Sequence, residues 1–288
     1  MPSTKTIDSL VEDIYNLFTS DTENKINQQD LDQFVESVVA SVVSSISKVR
    51  QKREQNLRIS MIGHPDRKIW YSINGDNSKS GDLAAPTLIK FLYGDILESL
   101  LILLCQTAGH EVREEQKEIK VAGVTGHHDA IVDNVLVDFK SASSFSFKKF
   151  KSGSVVADDP FGYIAQLSAY KKASGLENAG FIAIDKSSGE ICYCPIHPMD
   201  FINPETRIDE IKKFIKSPTP PKKCYDPVSD GKSGNMRLAV GCTYCDYKYD
   251  CWKDANNGKG IRTFMYSNGP KDLVVVNREP DVQEIYAQ

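Results

Sequence analysis

"VDFKSAS", Val137 to Ser143, is the stretch on which the reading of this chain turns. Side chains alternate along an extended strand, so Asp138 and Lys140 share one face while Phe139 points to the other, toward a core. A carboxylate and an ammonium at the end of an apolar strand are costly to bury unless something compensates them. The acid-x-Lys spacing alone decides nothing: it recurs at Asp66, Glu115, Glu118, Glu210, Asp230 and Asp246, where it reads as ordinary charged surface. The surroundings must carry the argument.

Upstream lies "GHHDAIVDN", Gly126 to Asn134, in which Asp133-Asn134 marks a turn. A hairpin across that turn brings Asp129, nine residues before Asp138, close to it. Two carboxylates at one sheet end repel each other, and a divalent cation is the simplest compensation. Glu98, in the apolar run "LESLLILL", is a third acid in an unexpected place; without the other two acids it reads as a glutamate on the exposed face of a helix.

Around this stretch the pattern alternates between helices and strands. Apolar residues recur at helical spacing from Leu31 to about Glu54, a helix packed on one face. Asn74 to Pro86 is a loop by composition, and Thr87 to about Ala108 reads as a long helix ending at Gly109. Strands follow at Val112 to Val121, Gly126 to Val132 and Val135 to Phe139, then a helix from Phe161 to Ala173 and strands at Gly180 to Asp185 and Ile191 to Pro195. Ser217 to Asn235 reads as a loop, and the segment beyond Trp252 is polar with no assigned element.

Composition limits the class. The chain has 288 residues, 40% of them hydrophobic and 26% charged, enough for a sizeable core. A formal net charge of −4 supplies no general attraction for nucleic acid, so a polyanion would need a local basic patch. Lys148, Lys149 and Lys151, just after the opening stretch, are candidates for DNA contact, and read equally as a solvated face. The start, "MPSTKTIDSLVED", has no basic region followed by an apolar one, and Leu100 to Leu104 is too short to span a bilayer. A cytoplasmic location, in a microbial or phage-infected cell, without membrane attachment is the expectation.

"GHHDAIVDNVLVDFKSAS" and "QLSAY", Gln166 to Tyr170, together resemble the PD-(D/E)XK nucleases, specifically the RecB-like branch that includes phage and CRISPR-associated exonucleases. The likeness covers roughly Thr87 to Pro195. It implies an α/β fold with a restriction-endonuclease-like core of helix, three-stranded meander, helix and strand. Regions 1–86 (helical), 87–216 (nuclease core), 217–260 (cysteine-rich, metal-binding) and 261–288 (tail) would follow. By the same resemblance Glu98, Asp129, Asp138 and the Phe139 carbonyl would ligate Mg²⁺ or Mn²⁺, Lys140 would be the catalytic lysine, and Gln166 and Tyr170 would flank the site. His128 stands where the family's naming proline would precede Asp129.

A second constellation lies in Cys224, Cys242, Cys245 and Cys251. Four thiols in one loop-rich stretch, in a reducing compartment, suggest a metal site over disulfides. The triplet Cys242, Cys245, Cys251 is similar to the C-terminal cysteines of the iron-sulfur members of the branch, and His64 stands where their upstream ligand would be expected, so Cys224 becomes the fourth. Four thiolates serve either a [4Fe-4S] cluster or structural Zn²⁺. Cys105, Cys192 and Cys194 read as packed hydrophobes.

The resulting expectation is a metal-dependent deoxyribonuclease, an exonuclease acting on DNA ends in recombination, repair or phage DNA processing, with DNA and a protein of recombination or replication as its expected partners. A catalytically silent DNA-binding or assembly subunit and a structure-selective endonuclease are the alternatives.

Overall fold

Asp133 and Asn134 both take positive φ, 47° and 65°, the backbone that a two-residue hairpin turn between right-twisted strands requires. The expected turn thus sets the register of its strands: Val132 pairs with Val135, Ile131 with Leu136 and Ala130 with Val137. The computed structural model describes residues 5–21, 25–47, 55–75 and 85–285. The chain divides into one unit of Met1–Gly63 with Asp82–Glu210 and another of His64–Gly81 with Ile211–Gln288.

In chain order the first elements are helices α1 (Leu10–Thr19), α2 (Gln28–Ser47), α3 (Asp66–Asn74) and α4 (Ala85–Thr107). Strands β1 (Val112–Arg113), β2 (Lys117–Val121), β3 (Val124–His128), β4 (Ala130–Val132) and β5 (Val135–Ala142) follow. Then come α5 (Ser144–Lys151), α6 (Tyr163–Ser174), β6 (Ala179–Asp185), β7 (Ile191–Pro195) and α7 (Pro204–Phe214). The fold is mixed α/β.

In the first unit the sheet order is β1-β4-β5-β6-β7, antiparallel except for the parallel pair β5 and β6. Parallel neighbours need a crossover, and α5 with α6 supplies it. Strands β2 and β3 form a separate two-stranded sheet. One core cluster joins Val137 and Phe139 to Leu101, Ile102 and Cys105 of α4 and to Leu10 and Ile14 of α1. The other face of β5, bearing Leu136, Asp138 and Lys140, turns toward α6, which is buried along Ile164, Ala165, Leu167, Ser168, Ala169 and Tyr170.

Several elements differ from the sequence-based expectation. The first two expected strands each break in two, at Glu114–Gln116, where two residues take positive φ, and at Asp129. Helix α2 starts earlier than expected, residues 48–54 of the expected helix lie outside the described residues, and none of its side chains is fully buried. It lies along α4, with Ser37 Oγ 2.9 Å from Ser99 Oγ. Helices α1 and α3 lie in the region 1–86 expected to be helical, where neither was individually placed, and α5 and α7 were not expected; α5 is capped by Ser143, whose hydroxyl accepts the Ser146 N–H.

The second unit adds β8 (Val228–Ser229), β9 (Met236–Arg237), α8 (Val240–Thr243), α9 (Lys248–Cys251), α10 (Ala255–Gly258), β10 (Arg262–Tyr266), β11 (Gly269–Val275) and β12 (Glu284–Ile285). The polar segment beyond Trp252 is therefore structured: β10, β11 and β12 join a sheet of order β12-β10-β11-β9-β8. Leu238, Cys242, Trp252, Ala255 and Val274 make its core. Among the described residues no helix is long and apolar enough to cross a membrane.

Candidate active site

Asp129 occupies the point where the chain passes from one sheet to the other. His128 ends β3 and pairs with Lys117 of β2, while Ala130 begins β4 and pairs with Val137 of β5. Continuing the β4–β5 register sets Asp129 opposite Asp138. Two bonds hold Asp129 there: its carbonyl accepts the Gln116 N–H at 2.9 Å, and its Oδ2 accepts the Phe139 N–H at 2.7 Å. In an extended strand a residue's N–H and C=O point to the same edge. The Phe139 carbonyl therefore faces the Asp129 side too.

Charge is crowded at this place. Asp138 is 1% exposed, and Lys140 Nζ ion-pairs with its Oδ2. Among the described residues, neither oxygen of Asp138 takes part in a hydrogen bond of ordinary geometry. Burial, then the charges of Asp138 and Glu98, hold the Asp129 carboxyl well above the usual carboxylate range. Burial and Asp138 push Glu98 up to about 7, with Lys140 offsetting part of the rise; the Gln116 amide donates to Glu98 Oε1. Burial works against the Lys140 charge, but Asp138 and Asp129 outweigh it and keep the ammonium above its usual range.

Helix α6 closes the other side. Lys140 Nζ stands 4.9 Å from the Tyr163 ring centroid. Gln166 Nε2 donates to the Tyr170 hydroxyl at 2.9 Å, and burial, then Asp138, keeps that phenol protonated far above neutral pH. Gly126 explains how the ring fits: a methyl group there would lie 2.8 Å from Ile59 Cβ and 3.2 Å from Tyr170 Cε1. At Gly63 and Gly162 the backbones touch so closely that a side chain on either would overlap the other, which sets the start of α6.

The structure thus gathers Glu98, Asp129, Asp138, Phe139, Lys140, Gln166 and Tyr170. The run of lysines after them is split by the turn of α5: Lys149 ion-pairs with Asp158 at 2.5 Å near Lys140, Lys151 pairs with Glu190 at 2.5 Å, and Lys148 is exposed. Gln116 and Tyr163 were missed. Gln116 owes its position to a positive φ of 50°, which no motif announces, whereas Tyr163 lies three residues before Gln166 on one helix face.

As placed, no three His, Cys, Asp or Glu side chains among the described residues are gathered tightly enough to hold a metal ion. The chemistry of the acid group nevertheless fits a hard divalent cation: its donors are oxygens, two of them buried on Asp138, where Lys140 pairs with Oδ2. The raising of Asp129 by Asp138 and Glu98, and of Glu98 by Asp138, would be relieved by added positive charge.

The cysteines belong to the second unit. Cys224 accepts backbone N–H groups of Arg67 and Lys68 at the start of α3, and Cys251 Sγ accepts Arg67 Nε at 3.1 Å. Burial raises the thiols of Cys224 and Cys245, and pushes that of Cys242 up to about 11, with Cys251, Cys245 and Cys224 near enough to add to it. Burial likewise lowers His64 to about 4, leaving it neutral. Cys105, Cys192 and Cys194 are buried in the first unit.

No protein-family model and no curated protein matches the chain. Among solved structures it is similar to "SSO0001", with a TM-score of 0.41 and 16% identity over 75% of this chain and 94% of that one. It is also similar to an alkaline exonuclease, LHK-Exo, from Laribacter hongkongensis, with a TM-score of 0.38 and 16% identity over 57% of this chain and 89% of that one.

Proposed function

We propose that the chain is a divalent-metal-dependent DNA exonuclease built on a PD-(D/E)XK core. The observation that carries this reading is the juxtaposition of Asp129 and Asp138 beside Lys140, with both Asp138 oxygens buried and the Lys140 ammonium paired to one of them. Glu98, Asp129 and Asp138 outnumber the Lys140 ammonium, which is costly without a further cation, and hydrolysis of a phosphodiester is a use for one.

Asp129, Asp138 and the Phe139 carbonyl would hold Mg²⁺ or Mn²⁺, with Glu98 on the α4 side. When bound, the metal lowers the pKa of a water and neutralises charge on the phosphate. Lys140 keeps its proton and so offers a fixed positive charge to a phosphoryl oxygen; it does not abstract one. Tyr170, its hydroxyl oxygen taken by Gln166, is free to donate its own proton to an anionic oxygen. The cysteine quartet is read as a separate structural site for a [4Fe-4S] cluster, with Zn²⁺ as the alternative; what supports it is that Cys251, Cys245 and Cys224 are near enough to Cys242 to raise its thiol, and that Cys224 and Cys251 both bond to the start of α3.

Digestion of end-labelled linear DNA and of circular DNA, with Mg²⁺ or with EDTA, tests the reading. Loss of linear DNA alone, dependent on Mg²⁺ and abolished in Asp138→Ala, is expected. Cleavage of circles would make it an endonuclease, and no cleavage by folded wild type would leave a DNA-binding or assembly subunit.

A further inference from the structure

Next to Lys140, away from the acids, the first unit has a cavity of about 230 Å³ bounded by residues that include Lys149, Phe161, Tyr163 and Lys186. That is smaller than the ~300–1,000 Å³ of pockets for drug-sized ligands. One nucleotide is a suitable occupant; a stacked duplex is not.

The wall is aromatic and basic by turns. Lys140 stands over Tyr163, Tyr163 stacks on Phe161 with centroids 5.4 Å apart, and Phe161 is 54% exposed. Tyr163 also packs toward the buried Phe150 and Phe181, so its ring is part of the core; Phe161 is the outward end of the ledge. Lys149 is held by Asp158, and among the described residues the Lys186 ammonium makes no ion pair or hydrogen bond. The cavity's acids do not cancel this. Asp158 is matched by Lys149, and both oxygens of Asp159 accept the N–H groups of Gly162, Tyr163 and Ile164, each at 2.9 Å. Exposed rings beside lysines are how proteins hold unpaired bases and their phosphates without reading sequence.

We propose that this cavity is the subsite for one unpaired nucleotide next to the reacting phosphate, its base against Phe161 and its phosphate met by Lys186. The substrate strand would then have to be single-stranded or frayed there. The inference rests on the nuclease reading for its position beside the reacting phosphate.

Fluorescence anisotropy, without added divalent cations, of a labelled oligothymidylate and of a blunt duplex of equal length reads binding apart from cleavage. The single strand is expected to bind about tenfold tighter or more. Phe161→Ala and Lys186→Glu should each weaken single-strand binding roughly tenfold, while Lys172→Glu, paired with Glu205 elsewhere on α6, should not. Unchanged binding in the folded Phe161→Ala and Lys186→Glu proteins, or equal affinity for the blunt duplex, would overturn the proposal. Mg²⁺-dependent cleavage with neither binding difference would sink the subsite alone; the binding pattern without cleavage would sink the nuclease reading and leave a single-strand-binding site.

Discussion

The Phe139 N–H donates to Asp129 Oδ2 at 2.7 Å, so the backbone of β5 fixes the carboxylate of the chain segment that faces it. One bond thereby couples the sheet register to the spacing of two acids.

An amide at position 129 could keep that bond and lose the charge. Burial, Asp138 and Glu98 disfavour the charged Asp129 in the fold, so Asp129→Asn should raise the melting temperature in metal-free buffer. Cleavage should fall by more than the ~10–100-fold typical of an outer-shell metal partner. A variant that melts lower than wild type without metal would show that the crowding of acids is not a cost.

The pH dependence follows from Glu98. Its folded pKa, about 7, lies above the ordinary 4.5, so the native state binds more protons than the unfolded one between those values. Stability from this group is therefore lost as pH rises through that window. His128 acts oppositely: burial lowers its pKa, so its contribution is lost as pH falls. The increment in melting temperature that Mg²⁺ adds separates the two, because the cation binds the deprotonated acid. That increment should grow between about pH 4.5 and 7; a pH-independent increment would exclude Glu98 from the cation site.

Much of this arrangement was legible because it is local. Alternation in Val135–Phe139 and the positive-φ turn at Asp133-Asn134 needed only neighbouring residues, and they put Asp129 opposite Asp138. The break at Asp129 was hidden, since Gly126 to Val132 has an unbroken strand pattern and the split arises from pairing with two different partners, β2 and β5. The second sheet was hidden for a related reason. Its β8, β9 and β12 are two residues long; β9 and β12 join β11 and β10 only through distant pairing, and β8 is held by β9.

Gly126 links stability to the site. A methyl group would press on Ile59 and Tyr170, and overpacking of this kind costs about 1–3 kcal/mol. Gly126→Ala should lose that much in urea unfolding and also slow cleavage, because Tyr170 is the side chain displaced. Full activity with lowered stability would mean that Ile59 gives way instead.

The cysteine reading has its own test. Protein purified anaerobically should carry iron with broad visible absorption, and chelation should lower its melting temperature, because a metal bound only by the folded state stabilises it. Zinc in colourless protein would select the alternative, and neither metal would leave Arg67, bonded to Cys251 Sγ at 3.1 Å, as support for free thiols.

Lys140 distinguishes two roles for the lysine. A general base would have to lose its proton near the working pH, but Asp138 and Asp129 keep this ammonium above its ordinary range. The pH–rate profile should therefore show no rise toward alkaline pH that Lys140→Met removes. The variant should instead lose about 10²–10³-fold in turnover at every pH, the scale for removing one preorganised electrostatic contact. A larger loss at high than at neutral pH would restore the base. The partner tells the same story: in Lys140→Met, Asp138 loses its ion-paired cation while remaining buried, so Mg²⁺ should stabilise this variant more than wild type in thermal melts.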